Sequence, residues 1–172
     1  MHSPEMSAFI QLVLRWFHIF AGVIWIGHLY FFNFVNVPFQ GVLDKELKPK
    51  VNPALLLRAL WWFRWGAMWT FLLGWFLFAI TYLMGGNLWD ADGGFSRRGL
   101  WMLVGGLLGS VMWFNVWFVI WPAQQKALGL VEADDATKAA AATRAMMFSR
   151  TNTLLSIPML YCMVAAQNGG FA

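Results

Sequence analysis

Charged residues and cysteine are scarce in this sequence. Asp, Glu, Lys and Arg together make up 12% of the 172 residues, about half of the share that is usual in globular domains. The one cysteine, Cys162, excludes an intrachain disulfide, a cysteine zinc site and the C-x-x-C-H attachment of a covalent haem among these residues. No Asp or Glu lies inside a long apolar run, so proton-coupled transport by a buried carboxylate is disfavoured.

Apolar and aromatic residues are abundant instead. Hydrophobic residues make up 60% of the chain, which contains twelve tryptophans and sixteen phenylalanines. Tryptophan is enriched where a membrane protein meets the lipid headgroups. The net charge of +4 does not indicate nucleic-acid binding, because the Lys and Arg residues cluster at the ends of apolar runs and form no basic stripe. The composition therefore predicts an integral membrane protein in contact with the lipid bilayer.

Four apolar runs predict four transmembrane helices. A span needs about 20 apolar residues to cross the hydrocarbon core, and the runs are separated by Pro38, a glycine pair at 85–86 and Pro122. Because proline and paired glycines interrupt helices, we expect the chain to turn at these points. The predicted fold is one all-α domain over residues 1–172, a four-helix membrane bundle. Its predicted spans cover residues 8–36, 54–84, 99–121 and 142–167.

The distribution of basic residues predicts the orientation of the bundle. Nine Lys and Arg residues flank the loops that follow the first and third spans, and three flank the opposite ends. Basic residues favour the cytoplasmic side of a membrane. Both termini are therefore predicted to lie outside, on the periplasmic side of a bacterial inner membrane.

The two halves of the sequence resemble each other faintly. A shift of 82 positions places Arg15 on Arg97 and Asn33 on Asn115, and the prolines that end the first and third runs lie 84 positions apart. This pattern predicts two repeated helical hairpins related by an axis along the membrane normal. The histidines at positions 18 and 28 have no counterparts in the second half. Any chemistry that they carry belongs to the first hairpin.

His18 and His28 are the candidate metal ligands of the first span. Ten residues of helix separate them by about 15 Å along the axis and about 80° around it, so one metal cannot bind both. Either could ligate the iron of a b-type haem or the magnesium of a chlorophyll-type pigment, and the alternative role is a hydrogen bond to a neighbouring helix. A second axial ligand would come from another chain or from a methionine within a span. Those methionines are Met68, Met102, Met112 and Met159.

Four further polar side chains within the spans are candidate site or structural residues. Arg15, one turn before His18 on the same helix face, either extends to the interface or pairs with an acidic group such as a haem propionate. Asn33, Asn36 and Asn115 lie near the opposite ends of the first and third spans. Their predicted role is hydrogen bonding between helices, and lining a polar cavity is the alternative. Arg15 thus joins the histidines as a candidate cofactor-binding residue, and the asparagines are candidate structural residues.

Several segments have a distinctive sequence. They read LRWFHIFAGVIWIG at residues 14–27, YFFNFVNVPF at 30–39, RALWWFRWGAMWT at 58–70 and MWFNVW at 112–117. These segments resemble the N-terminal membrane domain of bacterial membrane-bound urate oxidase, also called urate hydroxylase. In that family the membrane domain is joined to a C-terminal cytochrome c, which we expect this chain to lack. The resemblance implies an oxidoreductase that needs a separate periplasmic cytochrome c.

Two functions are compatible with these observations. The first is a redox-associated membrane protein that binds a non-covalent b-type haem and passes electrons to periplasmic cytochromes. The second is a non-catalytic accessory subunit of a larger respiratory or photosynthetic complex, in contact with other membrane subunits or with a second copy of the chain. The histidines and Arg15 favour the first function. The expected lack of a cytochrome domain and the absence of acidic residues within the spans favour the second.

Overall fold

The computed structural model describes residues 4–168, which are helical apart from short loops. The all-α prediction is confirmed, since these residues contain no strand and only an isolated bridge between Trp89 and Phe95. The α-helices are α1 (Pro4–Tyr30), α2 (Val37–Val42), α3 (Lys48–Phe78), α4 (Arg97–Phe114), α5 (Trp121–Ala127) and α6 (Asp135–Gln167). Three π-helical segments follow α1, α3 and α4, at Phe31–Asn36, Ala79–Leu83 and Asn115–Ile120.

These helices form four long rods. The first rod is α1 with its π segment and α2, the second is α3 with its π segment, the third runs from α4 through α5, and the fourth is α6. Within residues 4–168, three rods are long and apolar enough to cross a membrane, at Glu5–Val42, Lys48–Leu83 and Arg97–Ala127. The fourth rod has 33 residues, but its first half is rich in alanine and polar residues. That α6 also crosses the membrane stays a prediction.

The first and third rods continue past the prolines at which the sequence predicted turns. Pro38 and Pro122 have no N–H to donate, and a proline ring clashes with the carbonyl four residues earlier in an α-helix. A π-helical segment ends two residues before each proline and widens the helix there. The helix then continues to Val42 in the first rod and to Ala127 in the third. The two π segments begin 84 residues apart, which supports the repeat, although the repeat itself stays a prediction.

The rods pack as two pairs. α1 lies along α3 and α4 lies along α6, while α3 also contacts α4. Glycines permit the close approach within each pair, because a Cβ on Gly66 would lie 3.0 Å from the backbone N of Trp25, and one on Gly105 would lie 3.1 Å from the Cβ of Cys162. α1 and α6 touch over a much shorter length. Space therefore remains between the two pairs on that side of the bundle.

Candidate functional site

A large cavity lies between the two helix pairs. Its volume is about 710 Å³, and side chains from α1, α3, α4 and α6 line it. Along α1 and α6 the lining includes apolar side chains that are also exposed, such as Val23 at 66% and Val164 at 61%. In a bilayer these side chains would meet acyl chains. The cavity therefore opens sideways toward lipid, between α1 and α6.

His18 is held in this cavity by α3. Its Nδ1 lies 2.9 Å from the backbone carbonyl oxygen of Thr70, which can only accept a hydrogen bond. Nδ1 must therefore carry the ring proton and donate a hydrogen bond to this carbonyl oxygen. The lone pair is then on Nε2, and a hydrogen bond of this kind is what fixes the tautomer of metal-binding histidines.

Gly74, one turn after Thr70, leaves room for the imidazole ring of His18. A Cβ at this position would lie 2.8 Å from Cε1 and 3.2 Å from Nδ1 of His18. Any larger residue would have to displace the ring or the helix. Thr70 and Gly74 together thus determine both the tautomer and the position of His18.

Arg15 lies at the rim of the same cavity, one helical turn from His18. Its side chain is exposed, and it forms no hydrogen bond or ion pair with any residue between 4 and 168. A guanidinium offers up to five N–H donors in one plane and pairs well with carboxylates. Arg15 can therefore receive an acidic group of a ligand that occupies the cavity.

His28 is placed differently from His18. Its Nδ1 lies 2.7 Å from the carbonyl oxygen of Ile24 in its own helix, and it does not line the large cavity. The fold thus brings Arg15 and His18 to one site and leaves His28 apart. The geometry agrees with the expectation that the two histidines do not share a metal.

Two buried donors in the cavity wall have no acceptor. Trp25 is 2% exposed, and its indole N–H makes no hydrogen bond within the described residues. The same holds for the hydroxyl of Thr81, and both residues line the cavity. An unpaired buried donor costs about 1–3 kcal/mol, and each of these two atoms has less than 1 Å² of accessible surface, so neither is open to a ligand in the cavity.

Sulfur ligands are also within the cavity wall. Of the methionines considered from the sequence, Met102 and Met159 line it, whereas Met68 and Met112 do not, and Met163 is an addition. No three His, Cys, Asp or Glu side chains come together among residues 4–168. The donor set is therefore one imidazole with thioethers, a cation at the rim and apolar walls. This set fits a haem better than a bare metal ion.

The asparagines lie at the opposite end of the bundle. Asn115 donates to the side-chain oxygen of Asn152 at 2.8 Å, and Asn152 donates to the carbonyl oxygen of Met112 at 2.9 Å. Asn33 donates to Ser149 at 2.8 Å and so joins the first rod to the fourth. Asn36 lies farther out, where its side-chain oxygen is 3.4 Å from the amide nitrogen of Gln40.

A smaller cavity of about 120 Å³ lies beside these amides. Asn33, Asn36, Gln124 and Ser149 provide its polar lining. It is far too small for a macrocycle but has room for water, which requires polar partners such as these. Asn33 therefore both links helices and lines a polar space, whereas Asn115 only links helices and Asn36 only lines the cavity.

Sequence reasoning missed Thr70, Gly74 and Trp25. The first two act on His18 from another rod, at a separation of more than 50 residues in the chain. Nothing in a run of apolar residues indicates which threonine or glycine will face a given histidine. Trp25 lies seven residues after His18, and helical spacing places it on the same face two turns farther along.

The described residues form a helical protein with three helices long and apolar enough to cross a membrane and a ligand-sized cavity between its helices. A family model described as "Urate oxidase N-terminal" matches residues 86–170. This match supports a urate oxidase N-terminal-like domain, as the resemblance drawn from the sequence predicted, and the segment at 112–117 lies within the matched part. The matched part comprises α4 to α6, so Arg15 and His18 lie outside it. No curated protein and no solved structure matches the chain.

Proposed function

We propose that this protein is a membrane redox protein of the urate oxidase type that holds a b-type haem in the large cavity and passes electrons to a periplasmic cytochrome c. The observation that carries the proposal is the hydrogen bond from His18 Nδ1 to Thr70, which leaves Nε2 free inside a cavity of about 710 Å³. The match to the urate oxidase N-terminal family supports the redox assignment.

Two polar side chains of the cavity have a role toward the haem. His18 would ligate the iron through Nε2, and Arg15 at the rim would pair with a propionate. When bound, haem supplies one-electron chemistry that the side chains of the chain cannot perform. A chlorophyll-type pigment, which also takes an axial imidazole, is the alternative cofactor.

The contacts between rods indicate which methionines lie at the depth of His18. Gly74 contacts His18, and the indole of the adjacent Trp75 donates to Ser110 on α4 at 2.9 Å. On α6, Met159 and Met163 contact the same region of α4, near Gly109 and Gly105 respectively. A second ligand from this chain would therefore be a thioether of α6 or that of Met102, which also lines the cavity. Otherwise it would be a histidine of a second copy.

The predicted orientation agrees with this role. If α6 crosses the membrane and both termini lie in the periplasm, Arg15 and His18 belong to the outer half of the bundle. A haem there would lie close to a periplasmic electron acceptor. Location in a bacterial inner membrane is part of the same proposal.

An accessory subunit of a respiratory or photosynthetic complex is the second candidate. Large exposed tryptophans favour it, since Trp16, Trp61, Trp62 and Trp69 are each about half exposed. These side chains suit lipid, other membrane subunits or a second copy of the chain. Purification from native membranes in mild detergent tests this candidate. A protein that migrates alone or as a homodimer, with its own cofactor, contradicts it.

A visible absorption spectrum tests the haem. The purified protein should show a Soret band that shifts on addition of dithionite, and urate turnover should be assayed on the same sample. His18→Ala should abolish or strongly reduce the band. His28→Ala is the matched control and should keep it, because His28 lies outside the cavity. A folded wild-type protein from haem-sufficient cells without any Soret or pigment band, and without urate turnover, overturns the proposal.

A further inference from the structure

Arg64 carries a positive charge within the predicted second span, at the level of Trp117 and Trp121 near the end of the third span. It directly precedes the apolar run at residues 65–84 and is only partly exposed. Its guanidinium carbon lies 3.4 Å from the ring centre of Trp121 and 5.5 Å from that of Trp117. Trp117 is held in turn, since its indole N–H donates to the carbonyl oxygen of Arg64 at 3.2 Å. The arginine is therefore fixed in place by the third rod.

The indole rings cover the face of the guanidinium, and its N–H groups remain available at the edge. All five N–H bonds of the group point outward in its plane. The Nε atom makes a long hydrogen bond of 3.4 Å to the carbonyl oxygen of Leu60. The two terminal nitrogens have no acceptor among residues 4–168. Up to four N–H bonds are thus directed away from the stacked rings without a partner in the described chain.

No carboxylate is available to neutralise this charge. α3, α4 and α5 contain no Asp or Glu, and the acidic residue of α6 is Asp135 at its first turn. Arg64 forms no ion pair with the described residues. An anion that pairs with Arg64 would therefore come from outside the described residues, and at the edge of the hydrocarbon core the abundant anions are lipid phosphates.

The surroundings of Arg64 suit a headgroup. Trp61, Trp62 and Trp65 lie on the same stretch of α3 and are exposed, and the ring of Trp65 packs edge-on against Trp117 at 5.6 Å. Exposed indoles favour the headgroup region of a bilayer. Their exposure favours a position of this part of α3 near the headgroup region.

We propose that the guanidinium of Arg64, which projects from α3 and stacks on Trp121 of the third rod, binds the phosphate of one anionic phospholipid. The site is distinct from the haem cavity, since Arg64 does not line it. The positive-inside count assigns this end of the bundle to the cytoplasmic leaflet. The lipid would connect α3 with α5 at a point where the described residues provide no ion pair.

Native mass spectrometry of the full chain in detergent tests this site. Phosphatidylglycerol and phosphatidylcholine are added separately, and the number of retained lipids is counted for each variant. Wild-type protein should retain phosphatidylglycerol preferentially. Arg64→Gln should weaken that binding by about tenfold or more, which corresponds to the loss of one charge-assisted hydrogen bond. Arg150→Gln is the matched control and should bind like wild type, because Arg150 also borders an apolar run but stacks on no described ring.

Arg64→Lys provides a second variant in case Arg64→Gln does not fold. It keeps the charge but loses the planar fork, and we expect an intermediate affinity for phosphatidylglycerol. Equal retention by wild type and both Arg64 variants, or equal losses in the Arg64 and Arg150 variants, overturns the proposal. An excess of inorganic phosphate separates the two sources of the anion. If it displaces phosphatidylglycerol completely, the site binds soluble phosphate and the lipid assignment is wrong.

Discussion

The two ends of the helix bundle are built from the same four rods but pack differently. The end that contains Arg15 and His18 encloses about 710 Å³ of space and leaves the indole N–H of Trp25 without an acceptor. At the other end, the amides of Asn115 and Asn152 are buried and hydrogen-bonded, and the remaining cavity is only about 120 Å³. The end near Asn152 therefore resembles a packed core, and the end near His18 resembles a preformed binding site.

This difference indicates that the end near Asn152 stabilises the fold and that the end near His18 serves ligand binding. Buried polar groups with all partners in place make a structure unique and rigid. Cavities and unpaired donors cost stability and persist where function requires them. We therefore expect substitutions near Asn152 to change the stability of the protein. Substitutions near His18 should change ligand binding more than stability.

Asn152→Leu should have the largest effect. Leucine has as many side-chain heavy atoms as asparagine but cannot accept from Asn115, whose amide would remain buried and unpaired at a cost of about 1–3 kcal/mol. Thermal unfolding of the wild-type and variant proteins in the same detergent measures this. Thr151→Val is the control, because Thr151 is exposed and bonds only within its own helix. Equal melting temperatures for wild type and Asn152→Leu would contradict the assignment of stability to this end.

Gly74→Ala should be next in magnitude. The added methyl group would lie 2.8 Å from Cε1 of His18, so the imidazole must move. Displacing an oriented ligand typically costs about 10–100-fold in metal affinity. Titration of the apoprotein with haem measures the change. Gly41→Ala is the control, since Gly41 is also helical, lies outside the cavity and has nothing within 4 Å of an added methyl group, so the affinity should be nearly unchanged.

The sequence predicted the rods well and the site only in part. Apolar runs bounded by polar segments are enough to locate membrane helices, and a histidine or asparagine inside such a run is visible at once. The sequence could not indicate that the helices would continue past Pro38 and Pro122, because a π-helical segment depends on how the helix packs. For the same reason, the contacts of His18 with Thr70 and Gly74 had to come from the structure.

Trp25→Phe tests the cost of an unpaired buried donor. Removal of an N–H that has no acceptor offsets part of the cost of losing buried ring volume, so the apoprotein should lose less stability than when a bonded indole is removed, and haem affinity should change little. Trp117→Phe is the contrasting variant, because its N–H is bonded to Arg64. It should destabilise the protein by about 1 kcal/mol without changing haem affinity. Unfolding in detergent and haem titration together give both quantities. A loss of apoprotein stability in Trp25→Phe as large as in Trp117→Phe would show that the indole is structural.

The smallest effect concerns the start of α6, outside the predicted span. Asp134 caps this helix by accepting a hydrogen bond from the backbone N–H of Thr137 at 2.7 Å, and this bond lowers the pKa of its carboxyl group below the ordinary value of 3.8. A lowered pKa means that the cap stabilises the helix fully above the ordinary pKa. That contribution is lost as the pH falls through the lower value in the folded protein. Hydrogen exchange of the amides at 135–138 should therefore show increasing fraying at acidic pH. Asp134→Asn, which caps without titrating, should remove the pH dependence and keep the helix start, whereas Asp134→Ala should fray at every pH. Neither variant should affect haem binding, because the first turn of α6 is remote from the large cavity.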